Sequence, residues 1–243
     1  MTPELAKQVI NNVRRKTGKA IKHYGLIQAD DRILVGLSGG KDSLALLDTL
    51  AYHKKRFPHT FRLFAIHVQM TAIPDNTDIA WLAGFCRQLD VPFIHKQVDI
   101  LPDKAKKRSE CFVCSWHRRK TMFAAREELG CNKLALGHHL DDAIETLLMN
   151  MMYHGSISSL PAKLRMFEGD MELIRPLILL PEKELADYAL ARGFLTSERK
   201  CPFEDKTKRN TVKHIICEME SHSKNARINV FRSMRRIFGE YLP

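Results

Sequence analysis

Long apolar runs are missing from this chain of 243 residues, and acidic side chains are few. No stretch approaches the roughly 20 consecutive apolar residues that a membrane-spanning helix needs. The first residues, MTPELAKQVINNVRRK, also lack the apolar core of a secretory signal. No internal repeat or low-complexity tract stands out either. We therefore expect a cytoplasmic protein that does not insert into a membrane.

Basic side chains outnumber acidic ones, with 39 Lys and Arg against 28 Asp and Glu and a net charge of +11. Such a balance favours a polyanionic partner, either a nucleic acid or a membrane surface. The basic residues are clustered at 14–16, 54–56, 104–108, 118–120, 206–209 and 232–236. Each cluster alone is also explained as a solvated face, but together they indicate RNA binding.

Short apolar segments alternate with helical ones along most of the chain. The strand-like segments are 32–37, 62–68, 92–98, 133–137 and 172–178. Apolar residues recur at helical spacing in the segments 79–89, 143–153 and 181–193. Repeated strand–helix units predict an α/β fold, an open parallel five-stranded sheet with helices on both faces.

The chain is predicted to have three parts. A basic helix is expected within residues 1–28, since 3–24 has a helical pattern with many basic positions. The α/β domain is expected at 29–200. Beyond it, 201–243 contains only helical, basic segments and predicts a helical C-terminal appendage.

The segment ILVGLSGGKDSLALLDTL, residues 33–50, places a polar turn between a strand-like run and a helical run. In the turn, residues 38–43, backbone N–H groups point ahead of a helix N-terminus, where the helix dipole favours an anion. Gly39 and Gly40 permit close approach of a ligand, and Lys41 adds a mobile positive charge. The pattern predicts a phosphate cradle, although an ordinary turn capped by Ser43 has a similar composition. It matches neither the Walker loop nor the G-x-G-x-x-G turn, so γ-phosphate transfer and hydride transfer are not indicated.

A second polar turn, GHHLDD at residues 137–142, also lies between a strand-like segment and a helix. If the two strands are neighbours, the residues of this turn face the same crevice as the first turn: Gly137, His138, His139, Asp141 and Asp142. Carboxylates beside a phosphate chain need a cation between them, so we expect magnesium here. Asp142 with Glu145 also fits a helix capping box, and that role is compatible with a site role.

Cys111 and Cys114 form a C-x-x-C ahead of a basic helical face, and Cys201 lies far along the chain. Cytoplasmic cysteines are seldom disulfides, which leaves a redox pair, half a zinc site or ligands of an iron–sulfur cluster. A zinc site needs a further ligand at fitting spacing, and the sequence has no second C-x-x-C. Three thiolates on a cubane cluster would leave one iron open to an exogenous group. The remaining cysteines are expected to be structural: Cys86, Cys131 and Cys217.

SGGKDS, C-x-x-C, GHHxDD and a distant third cysteine occur in this order, and with them the sequence resembles the iron–sulfur-dependent tRNA thiolation branch of the PP-loop ATPases. It is most similar to the tRNA 2-thiocytidine synthetase family. The resemblance implies adenylation of a pyrimidine C2 oxygen in tRNA, at cytidine 32, with release of pyrophosphate and replacement of the oxygen by sulfur. It also implies ATP, Mg²⁺ and a [4Fe-4S] cluster as cofactors.

The motifs and the resemblance together predict three groups of site residues. The ATP-binding group is Ser38, Gly39, Gly40, Lys41, Asp42, Ser43, His67, Gly137 and His138. The catalytic group is Lys41, Asp42, Asp141, Asp142 and Arg118. Arg118 is assigned by its position just past the C-x-x-C, where it could steady the adenylate phosphate; a contact with the RNA backbone or a solvated face also fits that position. The metal ligands are Cys111, Cys114 and Cys201 for the cluster, and Asp42 and Asp141 for magnesium.

The expected partners are tRNA, a cysteine desulfurase or other sulfide donor, a reductant for the cluster and a second copy of the chain in a homodimer. Three alternatives stay open. Cys201 begins the triplet CPF, which resembles the third cysteine of the related 2-thiouridine enzymes, so the target base is one open point. Another tRNA-adenylating reaction, such as lysidine formation, would not need the cysteines. An iron–sulfur RNA-binding sensor would need no pyrophosphate release.

Overall fold

The computed structural model describes residues 1–71, 76–99, 110–196 and 208–241, without the side chains of Glu110 and Cys111. Its strands are β1 Arg32–Gly36, β2 Arg62–Met70, β3 Phe93–Val98, β4 Lys133–Ala135, β5 Lys163–Met166 and β6 Met171–Ile174. Its helices are α1 Pro3–Tyr24, α2 Lys41–Lys54, α3 Ile79–Gln88, α4 Glu110–Glu128, α5 Leu140–His154, α6 Glu182–Arg192, α7 Lys208–His222 and α8 Ala226–Ser233. The α/β class is therefore confirmed.

The sheet has six strands in the order β3-β2-β1-β4-β6-β5, so the predicted count of five is wrong. The additional strand, β5, pairs antiparallel with β6 at the edge, and all other pairs are parallel. Its sequence, KLRM, is short and none of its residues is fully buried, which leaves no apolar run to recognise. The last predicted strand, 172–178, ends early at Ile174, because Pro176 has no N–H for a ladder hydrogen bond.

Side chains of the sheet pack into two hydrophobic clusters, one on each face. Ile33 and Val35 of β1 belong to one cluster and Leu34 to the other, as the alternation of a strand requires. The first cluster receives residues from seven helices, α1, α2, α3, α5, α6, α7 and α8. Among the described helices only α4 contributes to the second, through Met122 and Ala125. Helices thus cover both faces as predicted, but very unevenly.

The strand order places a topological switch point in the middle of the sheet. β1 lies between β2 and β4 and runs parallel to both. The chain leaves β1 toward β2 and later returns to place β4 on the other side. In such sheets the crevice at the carboxyl ends of the two strands is where ligands bind. Both polar turns of the sequence follow these two strands, so they meet at this crevice.

Helices from both ends of the chain pack on the sheet face that carries the first hydrophobic cluster. The predicted N-terminal helix is present as α1, which begins after the cap Thr2 and buries Val13 and Ile21. It is tied to α6 by an ion pair of 2.5 Å between Lys16 and Glu184. None of the described helices is both long enough and apolar enough to cross a bilayer.

Candidate active site

The first polar turn is held together by the hydroxyl groups of its own serines. Ser43 Oγ accepts hydrogen bonds from the N–H and the hydroxyl of Ser38, both at 3.0 Å, and donates to the carbonyl of Gly40 at 2.9 Å. Gly39 lies at φ 83°, a backbone region that favours glycine. Helix α2 begins directly afterwards at Lys41. The N-terminus of α2 is therefore presented at the carboxyl edge of the sheet, as the sequence predicts for a phosphate cradle.

The second polar turn approaches the first so closely that only glycine fits at one position. A Cβ on Gly137 would lie 3.1 Å from the carbonyl carbon and oxygen of Asp42 and from the nitrogen of Ser43. These are backbone atoms at the start of α2, which have no rotamer by which to move away. Gly137 therefore sets the distance between the two turns.

A cavity of about 530 Å³ opens at this junction. Its polar lining includes Ser38, Asp42 and Ser43 of the first turn, with Gly137, His138 and Asp142 of the second. Ser115, Arg118 and Arg119 of α4 line the opposite side. The apolar lining comes from the strand ends and α4: Ile66, Val68, Met122, Leu136, Leu160 and Leu173. The cavity thus combines an anion-binding edge with an apolar wall suited to a nucleobase.

The remaining predicted ATP-binding residues do not line this cavity. Gly39 lines a smaller neighbouring cavity, and Gly40 caps α2. Lys41 points to Glu182 at 3.0 Å and to Asp42 at 3.2 Å. His67 is buried below the turn, where its Nδ1 lies 2.8 Å from the carbonyl oxygen of Leu37. His67 therefore supports the turn from beneath.

The charges at the first turn are strongly coupled. Burial raises the pKa of Asp42 above its usual range, in spite of the neighbouring Lys41. Burial alone would lower the pKa of Lys41, but Asp42 and Glu182 outweigh it, so the lysine is held firmly protonated. Asp42 Oδ1 is buried and has no hydrogen-bond partner among the described residues. That oxygen is free to receive a cation or a donor from a ligand.

The two aspartates of the second turn occupy different environments. Asp142 lines the cavity, accepts the N–H of His139 at 3.0 Å and lies 3.5 Å from Arg209. Asp141 is 2% exposed, accepts the N–H of Glu182 at 2.6 Å and is paired with Arg227. The structure therefore brings Asp42 and Asp142 together at the cavity and places Asp141 away from it.

The cap of α5 also differs in detail from the expected box. The helix begins at Leu140 with His139 as its cap, so Asp142 is the third helical residue and supplies the carboxylate of the box. Glu145, expected to play that part, instead lies 3.1 Å from Arg209. A carboxylate does complete a capping box, but it belongs to Asp142, three residues before the expected Glu145.

Helix α4 carries the C-x-x-C to the rim of the cavity. Cys114 is half-buried, and Arg118, one turn further on, donates to its Sγ at 3.9 Å. Cys111 lies one turn before Cys114 on the same helix, and Cys201 falls outside the described residues. Cys86 and Cys131 are buried, which raises their pKa to about 12 and about 11, and Cys217 is exposed. Burial of the first two agrees with structural roles.

Three charged residues at the site were missed by the sequence analysis: Arg175, Glu182 and Arg209. Arg175 lines the cavity and donates through Nε to His138 Nδ1 at 3.3 Å. It interrupts the apolar run LIRPLILL, and a lone cation in such a run is a signal that could have marked it. Glu182 lies in an ordinary polar stretch, and Arg209 belongs to the basic cluster 206–209 that was expected to bind RNA; the positions of both at the site follow from the tertiary structure alone.

The residues present fit the metal groups that the sequence implies. Magnesium is commonly held by one or two carboxylates together with substrate phosphates, which matches Asp42 and Asp142 beside the cradle. Within the described ranges no three His, Cys, Asp or Glu side chains converge into a ready-made ion site. For a cluster, the guanidinium of Arg118 beside Cys114 is a cation that offsets thiolate charge.

Comparisons with known proteins show the family of the chain. A family model described as a PP-loop domain matches residues 9–220. The tRNA-cytidine(32) 2-sulfurtransferase of Polynucleobacter asymbioticus is 34% identical over 236 residues, covering 94% of this chain and 76% of that protein. The enzyme of the same name from Bordetella parapertussis is 33% identical and covers 97% of this chain and 74% of its own length.

A solved structure has a similar fold. The U34-tRNA thiolase of Methanococcus maripaludis, solved with its [4Fe-4S] cluster, aligns with a TM-score of 0.78 and 24% identity. The alignment covers 98% of this chain and 81% of the thiolase chain.

Proposed function

The chain belongs to the PP-loop family of the tRNA-cytidine(32) 2-sulfurtransferases, and we propose that it is an ATP-dependent tRNA sulfurtransferase. It adenylates the C2 oxygen of a pyrimidine and replaces that oxygen with sulfur. The observation that carries the proposal is the single cavity lined by both polar turns and by the helix of the C-x-x-C. That arrangement lets nucleotide activation and sulfur delivery act on one base.

The first step needs ATP with its pyrophosphate portion held at the first turn. Ser38 and Ser43 face the cavity, and the N-terminus of α2 supplies backbone donors. Lys41 exchanges its contact with Glu182 for the departing pyrophosphate, whose charge it stabilises. The C2 oxygen of the base attacks the α-phosphate, pyrophosphate leaves and an O-adenylate forms. Magnesium would be held by Asp42 with Asp142 and would offset charge on the phosphates.

The second step needs sulfur at the same carbon. Cys111, Cys114 and Cys201 are the residues that we propose would hold a [4Fe-4S] cluster, which would supply the sulfur. Arg118 lies between Cys114 and the cavity, and so it is placed to contact the adenylate phosphate when AMP departs. No side-chain nucleophile is required by this scheme.

The substrate that we propose is cytidine 32 of tRNA, after the named relatives. A base must leave its stack to enter a cavity of this kind, and a loop nucleotide is easier to extract than a paired one. The net charge of +11 supplies the backbone attraction. A sulfide donor, a reductant, a homodimeric assembly and a cytoplasmic location complete the proposal.

The test is a thiolation assay on anaerobically purified protein whose iron and sulfide have been counted. The protein is incubated with ATP, Mg²⁺, sulfide and unmodified tRNA, and the digested nucleosides are identified by mass. We expect 2-thiocytidine, lost in Cys114→Ser and Cys201→Ser. Cys217→Ser, at an exposed cysteine of α7, is the matched control and should retain product.

Three other results would redirect or contradict the proposal. Appearance of 2-thiouridine would keep the mechanism and change the target base. Pyrophosphate release by the unaltered protein without any thionucleoside would indicate a different substitution after adenylation. Cluster and tRNA binding without pyrophosphate release would indicate a sensor and contradict the enzyme.

A further inference from the structure

Arg175 is a buried cation that has no ion-pair partner among the described residues; the Asp142 carboxylate, which lines the same cavity, acts on it only from beyond ion-pair distance. It follows β6, is 5% exposed and lines the cavity. Its Nη1 donates to the carbonyl of Pro161 at 2.5 Å and its Nε to His138 Nδ1 at 3.3 Å. Both acceptors are neutral groups, and no carboxylate of the described ranges lies within ion-pair distance of the guanidinium.

The other lysine or arginine that is buried within the described residues is paired. Lys133, on β4, is 2% exposed and lies 2.9 Å from Asp31 and 3.0 Å from Glu172. Leaving a buried charge unpaired is costly, and burial lowers the pKa of Arg175 to about 10. The difference between Lys133 and Arg175 indicates that the anion for Arg175 comes from a ligand.

We propose that Arg175 is an anion-binding residue for the α-phosphate of ATP, separate from the pyrophosphate cradle. The inference rests on the proposed function, which places ATP in this cavity. Strand β4 separates β6 from β1, and each step across a sheet is about 4.8 Å, so Arg175 begins about 10 Å from the first turn. The cradle holds the β- and γ-phosphates, and the remaining anion of the nucleotide is the α-phosphate.

His138 adds a second donor on the same side. Because its Nδ1 accepts from Arg175, its proton resides on Nε2. The pair therefore offers a guanidinium and an imidazole N–H to one anion. Such donors at the α-phosphate stabilise the charge that builds on it as the base attacks.

The experiment measures nucleotide binding by calorimetry without tRNA, with AMP and pyrophosphate as separate probes. In Arg175→Gln we expect AMP affinity to fall roughly 10- to 100-fold, typical of a lost charge-assisted hydrogen bond, with pyrophosphate affinity unchanged. Ser43→Ala, in the cradle, should give the opposite pattern. Arg175→Lys, which keeps the charge, should recover part of the AMP affinity.

An equal loss of both probes in Arg175→Gln, or no loss of either, would overturn the assignment. So would loss of tRNA binding with AMP binding intact, since Arg175 would then hold an RNA phosphate. If Arg175→Gln does not fold, the ratio of the two affinities in Arg175→Lys decides. These binding measurements need no sulfur transfer. A failure of the thiolation assay can therefore be distinguished from a failure of the α-phosphate assignment.

Discussion

The two polar turns of the cavity are built alike and stabilised differently. Each follows a central strand and starts a helix, yet the first is closed by Ser38 and Ser43, five residues apart. The second is closed by residues far along the chain. Arg175 reaches His138 across 37 positions, and Arg227 reaches Asp141 across 86. The hydroxyl network of the first turn is complete in itself, with Lys41 reaching outward to Glu182, whereas the second turn adds to its local cap contacts from the last third of the chain.

The site therefore contains residues whose partners are near in sequence and residues whose partners are distant. Partners that are near in sequence make the first turn rigid before any ligand arrives. The second turn is a junction of ion pairs, in which Arg209 and Lys213 of α7 approach Glu145. Changes in the C-terminal helices should therefore reach the second turn and spare the first.

The largest effects are expected from the two aspartates of the second turn. Asp142→Asn should reduce pyrophosphate release roughly 10²- to 10³-fold with little loss of stability, because the residue faces the cavity. Asp141→Asn should lower the free energy of unfolding by about 1–3 kcal/mol, because it weakens the buried contacts of Asp141 with Arg227 and with the N–H of Glu182, while Arg227 keeps its pair with Glu220. Turnover per folded molecule should be largely kept in that variant. Urea titration and pyrophosphate release are the two measurements, and equal behaviour of the variants would contradict the separation.

Gly137→Ala should force the two turns apart. The added methyl meets backbone atoms of Asp42 and Ser43 at 3.1 Å, and such overpacking costs roughly 2–3 kcal/mol. Affinity for ATP should fall with it, since the start of α2 has to move. Gly84→Ala, inside α3 with no atom within 4 Å of the new methyl, is the control and should stabilise the fold slightly. Unchanged ATP affinity in Gly137→Ala would show that the turns tolerate separation.

The second turn should also be sensitive to pH. Burial lowers the pKa of His138 from 6.5 to about 4, so the folded state binds this proton less well than the unfolded state. Its contribution to stability is complete above pH 6.5 and is lost as pH falls toward 4. Between pH 7 and pH 5 this amounts to roughly 2 kcal/mol of unfolding free energy. His138→Gln should flatten that slope in urea titrations, whereas the exposed His154→Gln should leave it intact.

The smallest effect is expected at the first turn. Ser43→Ala removes one hydroxyl that serves both Ser38 and Gly40, which costs about 1 kcal/mol. Because no distant residue takes part, the loss should be independent of substitutions in α7. A double-mutant cycle with Arg209→Ala measures this, and a coupling energy well above experimental error would show that the turns are not independent.

Prediction from sequence worked where the determinants are local. The strand–turn–helix at residues 33–50 and the helices at 79–88 and 182–192 follow from apolar spacing and turn residues. Strand β5 was missed because its pairing with β6 depends on an edge position that no local pattern shows. Asp141 and Asp142 are adjacent and chemically identical, and only the packing of α6 and α8 gives them different surroundings.

Because the sheet is covered unevenly, the helix that carries the cysteines also covers one of its faces. Helix α4 carries Cys114 near its start, and further along it provides the only described helical cover for Leu34 and Ile66. A ligand bound at the cysteine end of α4 stabilises the packing of α4 on the sheet by mass action, and loss of that ligand weakens the packing. Oxidative damage at the cysteines would thereby expose an apolar sheet face, which is the feature that chaperones and proteases act on. Molecules with damaged cysteines would then be degraded and would not remain bound to substrate.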